Sequence, residues 1–198
     1  MNVGVFCSAY DLDDKYTKPA QEFATLLAQA GHTMVWGGSD VGLMGIMAGG
    51  VKAGGGKLVG VSIELFKDLV RKDADEMIVA KNLGERKAIL LQRSDALVMM
   101  VGGIGTLDEA TEVLELKKHG HHDKPIIMLN TAGFYNGFKQ QLHAMDREGF
   151  LPKPLAELML FVDTPEEAIK ALGPSAIPDI PVMEIPEPAQ RQAAKIIA

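Results

Sequence analysis

The stretch Val101-Gly102-Gly103-Ile104-Gly105-Thr106-Leu107-Asp108-Glu109 gives the most direct evidence for the fold of this chain. It continues an apolar run over residues 96–101 that is typical of a buried parallel strand. Residues 110–118 follow with the pattern of an amphipathic helix. A strand, a glycine turn and a helix N-terminus in this order form an anion site. The first N–H groups of the helix are free there, and its dipole favours negative charge.

Four residues of this stretch are candidate phosphate ligands: Gly102, Gly103, Gly105 and Thr106. Glycines let the backbone turn and let a ligand approach closely. The threonine can add a hydroxyl group or cap the helix. Glu109 is expected in the first helical turn, facing the bound group. The stretch by itself also fits a plain connector followed by an acid that complements the helix dipole.

The composition limits the function classes. The chain has 198 residues, enough for one α/β domain with a sizeable core. Its apolar content of 47% and charged content of 23% are ordinary for a globular protein. A net charge of −6 argues against nonspecific nucleic-acid binding. No apolar run approaches the length of a membrane span.

Cysteine usage and the N-terminus predict a cytoplasmic location. Cys7 is the sole cysteine, so no intrachain disulfide can form and a reducing compartment is favoured. Residues 1–6 lack the basic start and long apolar core of a signal peptide. No histidine stands in a pattern that would activate Cys7, which is interpreted as a small core residue.

Strands and helices are predicted in alternation over residues 1–173, which form one domain. The predicted strands cover residues 3–8, 33–36, 57–62, 77–80, 96–101, 126–129 and 158–162. The predicted helices cover residues 17–30, a segment through 48–53, 64–71, 83–93, 110–118, 134–148 and a last one from Thr164. This order predicts a Rossmann-like three-layer α/β fold, with a mostly parallel central sheet and helices on both faces. Residues 174–198 hold five of the ten prolines and are expected to be an extended tail or to pack on a partner subunit.

A second glycine-rich turn, Gly37-Gly38-Ser39-Asp40-Val41-Gly42-Leu43-Met44-Gly45, follows the strand at residues 33–36. Two such turns at strand C-termini predict a site at the carboxyl edge of the sheet. Neither turn has the dinucleotide pattern Gly-x-Gly-x-x-Gly, and the Cys7-Ser8-Ala9-Tyr10 connection also lacks it. A mononucleotide or another small phosphate ester is therefore favoured over NAD.

Several residues around these turns are further candidates for binding phosphate or ribose: Gly38, Gly42, Met44 and Ser8. Each also has a structural interpretation. The glycines can let a helix pack closely against the sheet. Ser8, at a strand end, can cap a turn instead of touching a ligand.

Together with Glu85-Arg86-Lys87, the two glycine turns resemble the LOG ("Lonely guy") family of cytokinin riboside 5'-monophosphate phosphoribohydrolases, often mislabelled lysine decarboxylases. The resemblance covers about residues 2–172 in the same order. His122-Asp123-Lys124-Pro125 and the segment from Asn130 through Tyr135-Asn136 extend it. Three features depart from the family pattern. Val101 replaces the usual proline, and Ser39 replaces the usual third glycine of the earlier turn. The usual methionine two or three places before the arginine is replaced in the Leu83-Gly84 region.

The resemblance implies a Rossmann-like homodimer that cleaves the N-glycosidic bond of a nucleoside 5'-monophosphate, of the AMP or N6-modified AMP type. The products are a free base and ribose 5-phosphate, and no metal or cofactor is implied. The catalytic pair of the family corresponds to Arg86 and Glu109. Its phosphate loop corresponds to the glycines and threonine of residues 102–106, and Lys87 matches the lysine after the arginine.

This chemistry needs a carboxylate beside the sugar. Breaking a ribosyl C–N bond builds positive charge on the ribose, as in glycoside hydrolysis. Glu109 can stabilise that charge and activate water, while Arg86 can clamp the phosphate or a ribose hydroxyl. Loop amides holding the phosphate would fix the sugar over the carboxylate. Glu112, three residues further on the same helix face, is either a second active-site acid or a solvated side chain.

Other functional interpretations remain. His119-Gly120-His121-His122 invites a metal site, but the run lacks a second ligand group at the required spacing. A cationic role at a helix C-terminus is favoured for it. A non-catalytic nucleotide sensor or scaffold on the same fold is the alternative function. An amino-acid decarboxylase is disfavoured because that reaction normally uses pyridoxal phosphate on a lysine in a larger fold.

Overall fold

The computed structural model describes residues 1–173. Within them, seven parallel strands form one sheet in the order β4-β3-β2-β1-β5-β6-β7. The strands are β1 Asn2–Phe6, β2 Thr33–Trp36, β3 Lys57–Ile63, β4 Glu76–Ala80, β5 Ala96–Met99, β6 Ile126–Leu129 and β7 Leu160–Val162. The predicted α/β fold is confirmed. The tail predicted for residues 174–198 lies outside the described residues.

Helices cover both faces of the sheet. They are α1 Asp14–Gln29, α2 Gly42–Ala53, α3 Leu83–Gln92, α4 Ile104–Lys118, α5 Asn136–Arg147, α6 Leu155–Leu158 and α7 Pro165–Leu172, with short 3₁₀ helices at Glu64–Leu69 and Thr131–Gly133. Helices α1, α2 and α7 bury apolar side chains with one side of the sheet. Helices α3 to α6 do so on the other side. Successive side chains along a strand point to opposite faces of the sheet and so enter different cores. Val3 and Val5 of β1 face one core, and Phe6 faces the other.

The strand order reverses at β1, which lies between β2 and β5. Parallel sheets open a crevice at such a point, beyond the carboxyl ends of the strands. Phe6 pairs with Met99 at the last register position, so the chains leaving β1 and β5 stay side by side. The Ser8 N–H donates to the Val101 carbonyl at 3.0 Å. Both turns that follow these strands therefore face the same crevice.

Several element boundaries differ from the sequence-based prediction. β1 ends at Phe6 and β5 at Met99, two residues earlier than expected in each case. Residues 64–71 form a 3₁₀ helix over Glu64–Leu69 instead of a longer helix. Helix α5 starts at Asn136 because Ala132 (φ 54°) and Gly133 (φ 70°) turn the backbone sharply just before it. As a result, the Phe134 side chain is 44% exposed and does not lie on the predicted buried stripe.

The last helix begins as the sequence predicts. Thr164 accepts a hydrogen bond from the Glu167 N–H, and the Glu167 carboxylate caps the Thr164 N–H in return. Pro165 occupies the first helical turn, where its missing N–H is not needed. This capping box fixes the start of α7 from local sequence alone.

Candidate active site

A cavity of about 560 Å³ opens at the crevice between the carboxyl ends of β1 and β5. Its walls come from the turns after β1, β2 and β5, from the 3₁₀ helix after β3, and from α3 and α4. Seven predicted site residues line it: Ser8, Met44, Arg86, Gly103, Gly105, Thr106 and Glu109. The cavity therefore lies at the sheet edge where the two glycine turns predicted a site.

Helix α4 offers an open N-terminus to this cavity. It begins at Ile104 with Gly103 as N-cap, and no side chain caps it. The N–H groups of Ile104, Gly105 and Thr106 have no acceptor among residues 1–173. Free N–H groups at the positive end of a helix dipole favour a bound anion. This end of α4 is the candidate phosphate site.

The start of α4 corrects three expectations. The helix was predicted from residue 110 and begins six residues earlier, because glycines at its N-cap and in its first turn do not prevent helix formation. Thr106 lies inside the helix and does not cap it. Its side chain is buried and packs over Gly102, where a Cβ would lie 2.1 Å from the threonine Oγ1. Glu109 consequently lies in the second turn and not in the first.

Helix α2, behind the other glycine turn, has its first N–H groups occupied. The N–H of Leu43 donates to the Tyr10 carbonyl at 3.3 Å, and that of Met44 donates to the Ser8 carbonyl at 3.1 Å. Gly42 has φ +56°, and a Cβ there would lie 2.4 Å from the Ala9 backbone. Of the two glycine turns, the α2 one is thus closed by the chain leaving β1 and serves packing.

Two of the predicted ligands in this region therefore lie outside the cavity wall. Gly38, with φ +78°, and Gly42 provide backbone conformations that side-chain-bearing residues rarely adopt. Ser8 lines the cavity, but its Oγ accepts a hydrogen bond from the Tyr10 N–H at 3.0 Å, which is the turn-capping role. Met44 also lines the cavity.

Arg86 and Glu109 meet in the cavity wall. The Arg86 Nη1 and the Glu109 Oε1 are 3.3 Å apart, and their side chains are only 12% and 14% exposed. The guanidinium is also fixed by the strand ends: Nε donates to the Val61 carbonyl at 2.9 Å and Nη2 to the Gly37 carbonyl at 3.4 Å. Three contacts hold this arginine in one orientation, with its charge directed at the carboxylate.

Burial raises the pKa of Glu109 to about 7. The positive charge of Arg86 opposes this rise, and so does the more distant charge of Lys87. The carboxylates of Asp108 and Glu112 add to the rise. A group with a pKa near 7 can accept and release a proton at neutral pH, which is what a general acid or base requires.

Lys87 and Glu112 do not reach the cavity. The Lys87 ammonium lies 2.9 Å from the Asp108 carboxylate and also pairs with Glu112, bridging α3 and α4 beside the site. Neither side chain is part of the cavity wall. The interpretation of Glu112 as a second active-site acid therefore has no geometric support, and both residues influence Glu109 through their charges.

An apolar rim around the cavity was not anticipated from the sequence. It is formed by Tyr10, Val41, Phe66, Leu69 and Ile104, all of which line the cavity and are exposed to solvent. These residues come from four separate segments, so no sequence pattern connects them. Cys7 also lines the cavity, and burial raises the pKa of its thiol, which keeps it protonated.

The histidine run is divided between two structural roles. His119 pairs with the Glu115 carboxylate of α4 at 2.8 Å. The Nε2 of His122 lies 2.9 Å from the Val113 carbonyl, and burial lowers the pKa of His122. A cationic role is therefore wrong for His122. Within residues 1–173 no group of three or more histidine, cysteine or acidic side chains is arranged to hold a metal ion.

A neighbouring cleft of about 490 Å³ contains a second arginine, Arg71, whose side chain is 17% exposed. Arg71 is paired there with Asp40 at 2.7 Å and with Asp73 at 2.6 Å. Because two carboxylates already neutralise this guanidinium, the cleft attracts an anion less strongly than the α4 N-terminus does.

In the described part of the chain, no helix is long and apolar enough to cross a membrane.

Comparison with known proteins identifies relatives that share one activity name. The family model described as "possible lysine decarboxylase" matches residues 44–172. A cytokinin riboside 5'-monophosphate phosphoribohydrolase of Mycobacterium tuberculosis is 36% identical over 175 residues, covering 87% of this chain and 94% of the relative. One of Arabidopsis thaliana with the same activity name is 30% identical over 171 residues, covering 85% and 80%.

Solved structures share the fold. The molybdenum cofactor binding protein of Rippkaea orientalis superposes with a TM-score of 0.67 at 23% identity, covering 85% of this chain and 93% of that one. The molybdenum cofactor carrier protein of Chlamydomonas reinhardtii gives 0.66 at 25% identity, covering 86% and 95%.

Proposed function

The chain belongs to the LOG-type family of cytokinin riboside 5'-monophosphate phosphoribohydrolases, the family whose model is described as "possible lysine decarboxylase", and from this premise we propose its reaction. It hydrolyses the N-glycosidic bond of a nucleoside 5'-monophosphate of the AMP or N6-modified AMP type. The products are a free base and ribose 5-phosphate. The observation that carries the proposal is the buried pair of Arg86 and Glu109 in one cavity with the open N-terminus of α4.

Substrate binding begins at the phosphate. The free N–H groups of Ile104, Gly105 and Thr106 receive the 5'-phosphate, and the α4 dipole favours its charge. Glu109 is on the same helix and lines the same cavity. A substrate anchored by its phosphate therefore has its ribose held near this carboxylate, which lowers the entropic cost of reaching the transition state.

Hydrolysis then depends on Glu109. As the C1'–N bond breaks, its electron pair leaves with the base and C1' becomes positive. The ionised carboxylate stabilises that charge and removes a proton from a water molecule, whose oxygen bonds to C1'. The base takes up a proton from solvent as it leaves. The overall reaction consumes one water molecule and needs no cofactor.

Arg86 acts mainly through Glu109. Its guanidinium is fixed by the Val61 and Gly37 carbonyls and therefore cannot swing toward distant groups. Its charge opposes the rise in the Glu109 pKa and so keeps part of the carboxylate ionised at neutral pH. Its remaining N–H groups are available to a ribose hydroxyl or to the phosphate.

The test is base release by the purified protein from AMP, other nucleoside 5'-monophosphates and N6-prenylated AMP, followed by chromatography. Wild type is expected to release base from monophosphates and not from the corresponding nucleosides. Glu109→Gln is expected to lose at least about a hundredfold in kcat, the size of a typical acid–base contribution. Glu115→Gln, an exposed acid on the same helix, is the matched control and should keep full activity. Failure of wild type on every monophosphate would refute the proposal.

A non-catalytic binder of phosphate-bearing ligands is the second candidate. It is favoured by the structural similarity to the carrier protein of Chlamydomonas reinhardtii. Turnover by wild type and by Glu109→Gln, measured beside AMP affinity by calorimetry, separates the two. A pure binder loses nothing, and gains affinity for AMP by removing a negative charge beside an anion. A hydrolase shows the same gain in affinity together with loss of turnover.

The decarboxylase description of the family model has less support from this site. Pyridoxal-dependent decarboxylation uses a lysine that forms a Schiff base in the active site. None of the described residues lining the cavity is a lysine. Lys87, the lysine next to the catalytic pair in sequence, is engaged with Asp108 and Glu112 outside the cavity.

We further propose that the protein acts in the cytoplasm as a homodimer. Exposed apolar side chains near α3 and α4 support self-association, with Leu83 54% and Ile104 82% exposed. The single cysteine is consistent with a reducing compartment. Light scattering coupled to size-exclusion chromatography tests the dimer, and a monomer at micromolar concentration would contradict it.

A further inference from the structure

Tyr135 lies beneath the turn that leads from β5 into α4. Its side chain is buried, with 2% of the residue exposed, and its hydroxyl donates to the Met100 carbonyl at 2.7 Å. The hydroxyl thus holds the peptide group between Met100 and Val101, where the chain enters the turn. The same turn ends at Gly103, the N-cap of α4.

Tyr135 is itself held from the ends of β6 and β7. Its backbone N–H donates to the Asn130 Oδ1 at 2.7 Å. The Asn130 amide nitrogen donates to the Asn136 side chain at 2.9 Å and to Asp163 at 3.2 Å. Asn130 is buried, and these side-chain contacts are hydrogen bonds, which fix its orientation. This network fixes the phenol in space before any ligand binds.

The turn needs such support because its own residues provide little. Gly102 and Gly103 carry no side chains, so their peptide groups rotate more freely than those of other residues. On the β1 side, the Ser8 N–H holds the Val101 carbonyl at 3.0 Å. On the opposite side, the Tyr135 hydroxyl holds the Met100 carbonyl. Helix N–H groups stabilise an anion only when they are aimed at it in advance.

We propose that Tyr135 is a positioning residue that aims the free N–H groups at the start of α4 toward the substrate phosphate. This inference rests on the proposed function of that helix end as the phosphate site. The phenol stays neutral at physiological pH because burial raises its pKa, so it holds the turn through hydrogen bonds and not through charge.

Tyr135→Phe tests the proposal because it removes the hydroxyl and keeps the ring, which packs edge-on against Phe134 and Phe138. Loss of this hydrogen bond is expected to raise KM for AMP and the dissociation constant of ribose 5-phosphate by about tenfold. The kcat for AMP is expected to change by less than about threefold, because the Arg86–Glu109 pair is untouched. Binding of free adenine, which has no phosphate, should not change.

The matched control is Ser94→Ala, which removes another buried hydroxyl with one backbone carbonyl partner. Ser94 Oγ donates to the Leu90 carbonyl at 2.7 Å, at the end of α3 and away from the cavity. This variant is expected to lose stability with no change in KM. The affinity ratio of ribose 5-phosphate to adenine is the decisive quantity, because it does not depend on the fraction of folded protein.

The outcomes separate the two proposals. A tenfold fall in the affinity ratio of ribose 5-phosphate to adenine in Tyr135→Phe, absent in Ser94→Ala, supports the positioning role. An unchanged ratio overturns it, and so does a loss confined to kcat or an equal loss for both ligands. Absence of AMP turnover by wild type refutes the hydrolase while calorimetry with ribose 5-phosphate still reports on the turn. If wild type binds no ribose 5-phosphate, the positioning proposal fails, whereas base release from monophosphates alone decides the hydrolase.

Discussion

Glu109→Gln is predicted to stabilise the protein at neutral and alkaline pH. The Glu109 side chain is 14% exposed, and burial raises its pKa from 4.5 to about 7. Between these values the unfolded chain ionises at this position while the folded protein remains protonated. The folded state then binds more protons, so the free energy of unfolding falls as pH rises. Below about pH 4.5 the ionisation of Glu109 does not contribute to stability, and above about pH 7 its contribution is constant.

The magnitude follows from the separation of the two pKa values. At 1.36 kcal/mol per pKa unit, the ionised Glu109 destabilises the folded state by about 3 kcal/mol above pH 7. Glutamine has nearly the same shape, can still accept a hydrogen bond from Arg86, and does not titrate. The difference in unfolding free energy, variant minus wild type, should therefore grow by about 3 kcal/mol from pH 4.5 to pH 8.

Urea denaturation followed by tryptophan fluorescence measures this difference. Trp36 is the single tryptophan, is fully buried, and donates from Nε1 to the Ser39 carbonyl, so its emission reports the loss of the core. The control is Glu115→Gln. Lys118 and then His119 lower the pKa of Glu115, so its contribution is lost only as pH falls into the acid range. A stability difference for Glu109→Gln that does not vary with pH would refute the argument from burial.

Three further predictions concern activity and stability. The kcat/KM for AMP should rise with pH through about 7. Asp108→Asn should move this rise to lower pH, because the Asp108 charge raises the Glu109 pKa. A pH profile that is unchanged in the variant would contradict this prediction. In thermal melts, Gly42→Ala should lose at least about 2 kcal/mol through strain and overlap. Gly55→Ala, with positive φ and open space, should lose about 1 kcal/mol. Lys124→Met should cost about 1–3 kcal/mol in urea denaturation, because its ammonium donates to two carbonyls at the end of α3.

The sequence was sufficient to predict the fold because its signals are local. Apolar runs predicted the strands, and Thr164 as N-cap with Pro165 at the first helical position predicted the start of α7. The two glycine turns also predicted the correct edge of the sheet for the cavity. None of these inferences required knowledge of which strands are neighbours.

The misjudged details depend on contacts between distant segments. The glycine turns look alike in sequence, yet the chain leaving β1 occupies the first N–H groups of α2 and leaves those of α4 open. Ser8 and Tyr10, whose carbonyls close the α2 turn, lie more than thirty residues before their partners Met44 and Leu43. The shift of Glu109 from the first to the second turn has another cause. Glycines at residues 103 and 105 were interpreted as loop residues, although an N-cap and a first turn tolerate them.

The apolar rim could not be predicted for a similar reason. Phe66 and Leu69 follow β3 in a 3₁₀ helix, whereas the sequence predicted a helix over residues 64–71 without indicating which side it exposes. Only the strand order, with β3 next to β2, brings it to the mouth of the cavity beside Val41. Residues that shape the part of a site away from the glycine turns are thus set by topology, which a single sequence reveals poorly.

The energetics of Glu109 favour the proposed hydrolysis over simple binding. An acid that destabilises the fold by about 3 kcal/mol at neutral pH also repels the phosphate that α4 attracts. Both effects oppose a protein that only carries an anion. They favour catalysis, because the carboxylate gains an attractive partner only when the ribose becomes positive in the transition state. Arg86 supports the same conclusion. Its charge limits the rise in the Glu109 pKa, so ionised Glu109 is present at neutral pH when the substrate arrives.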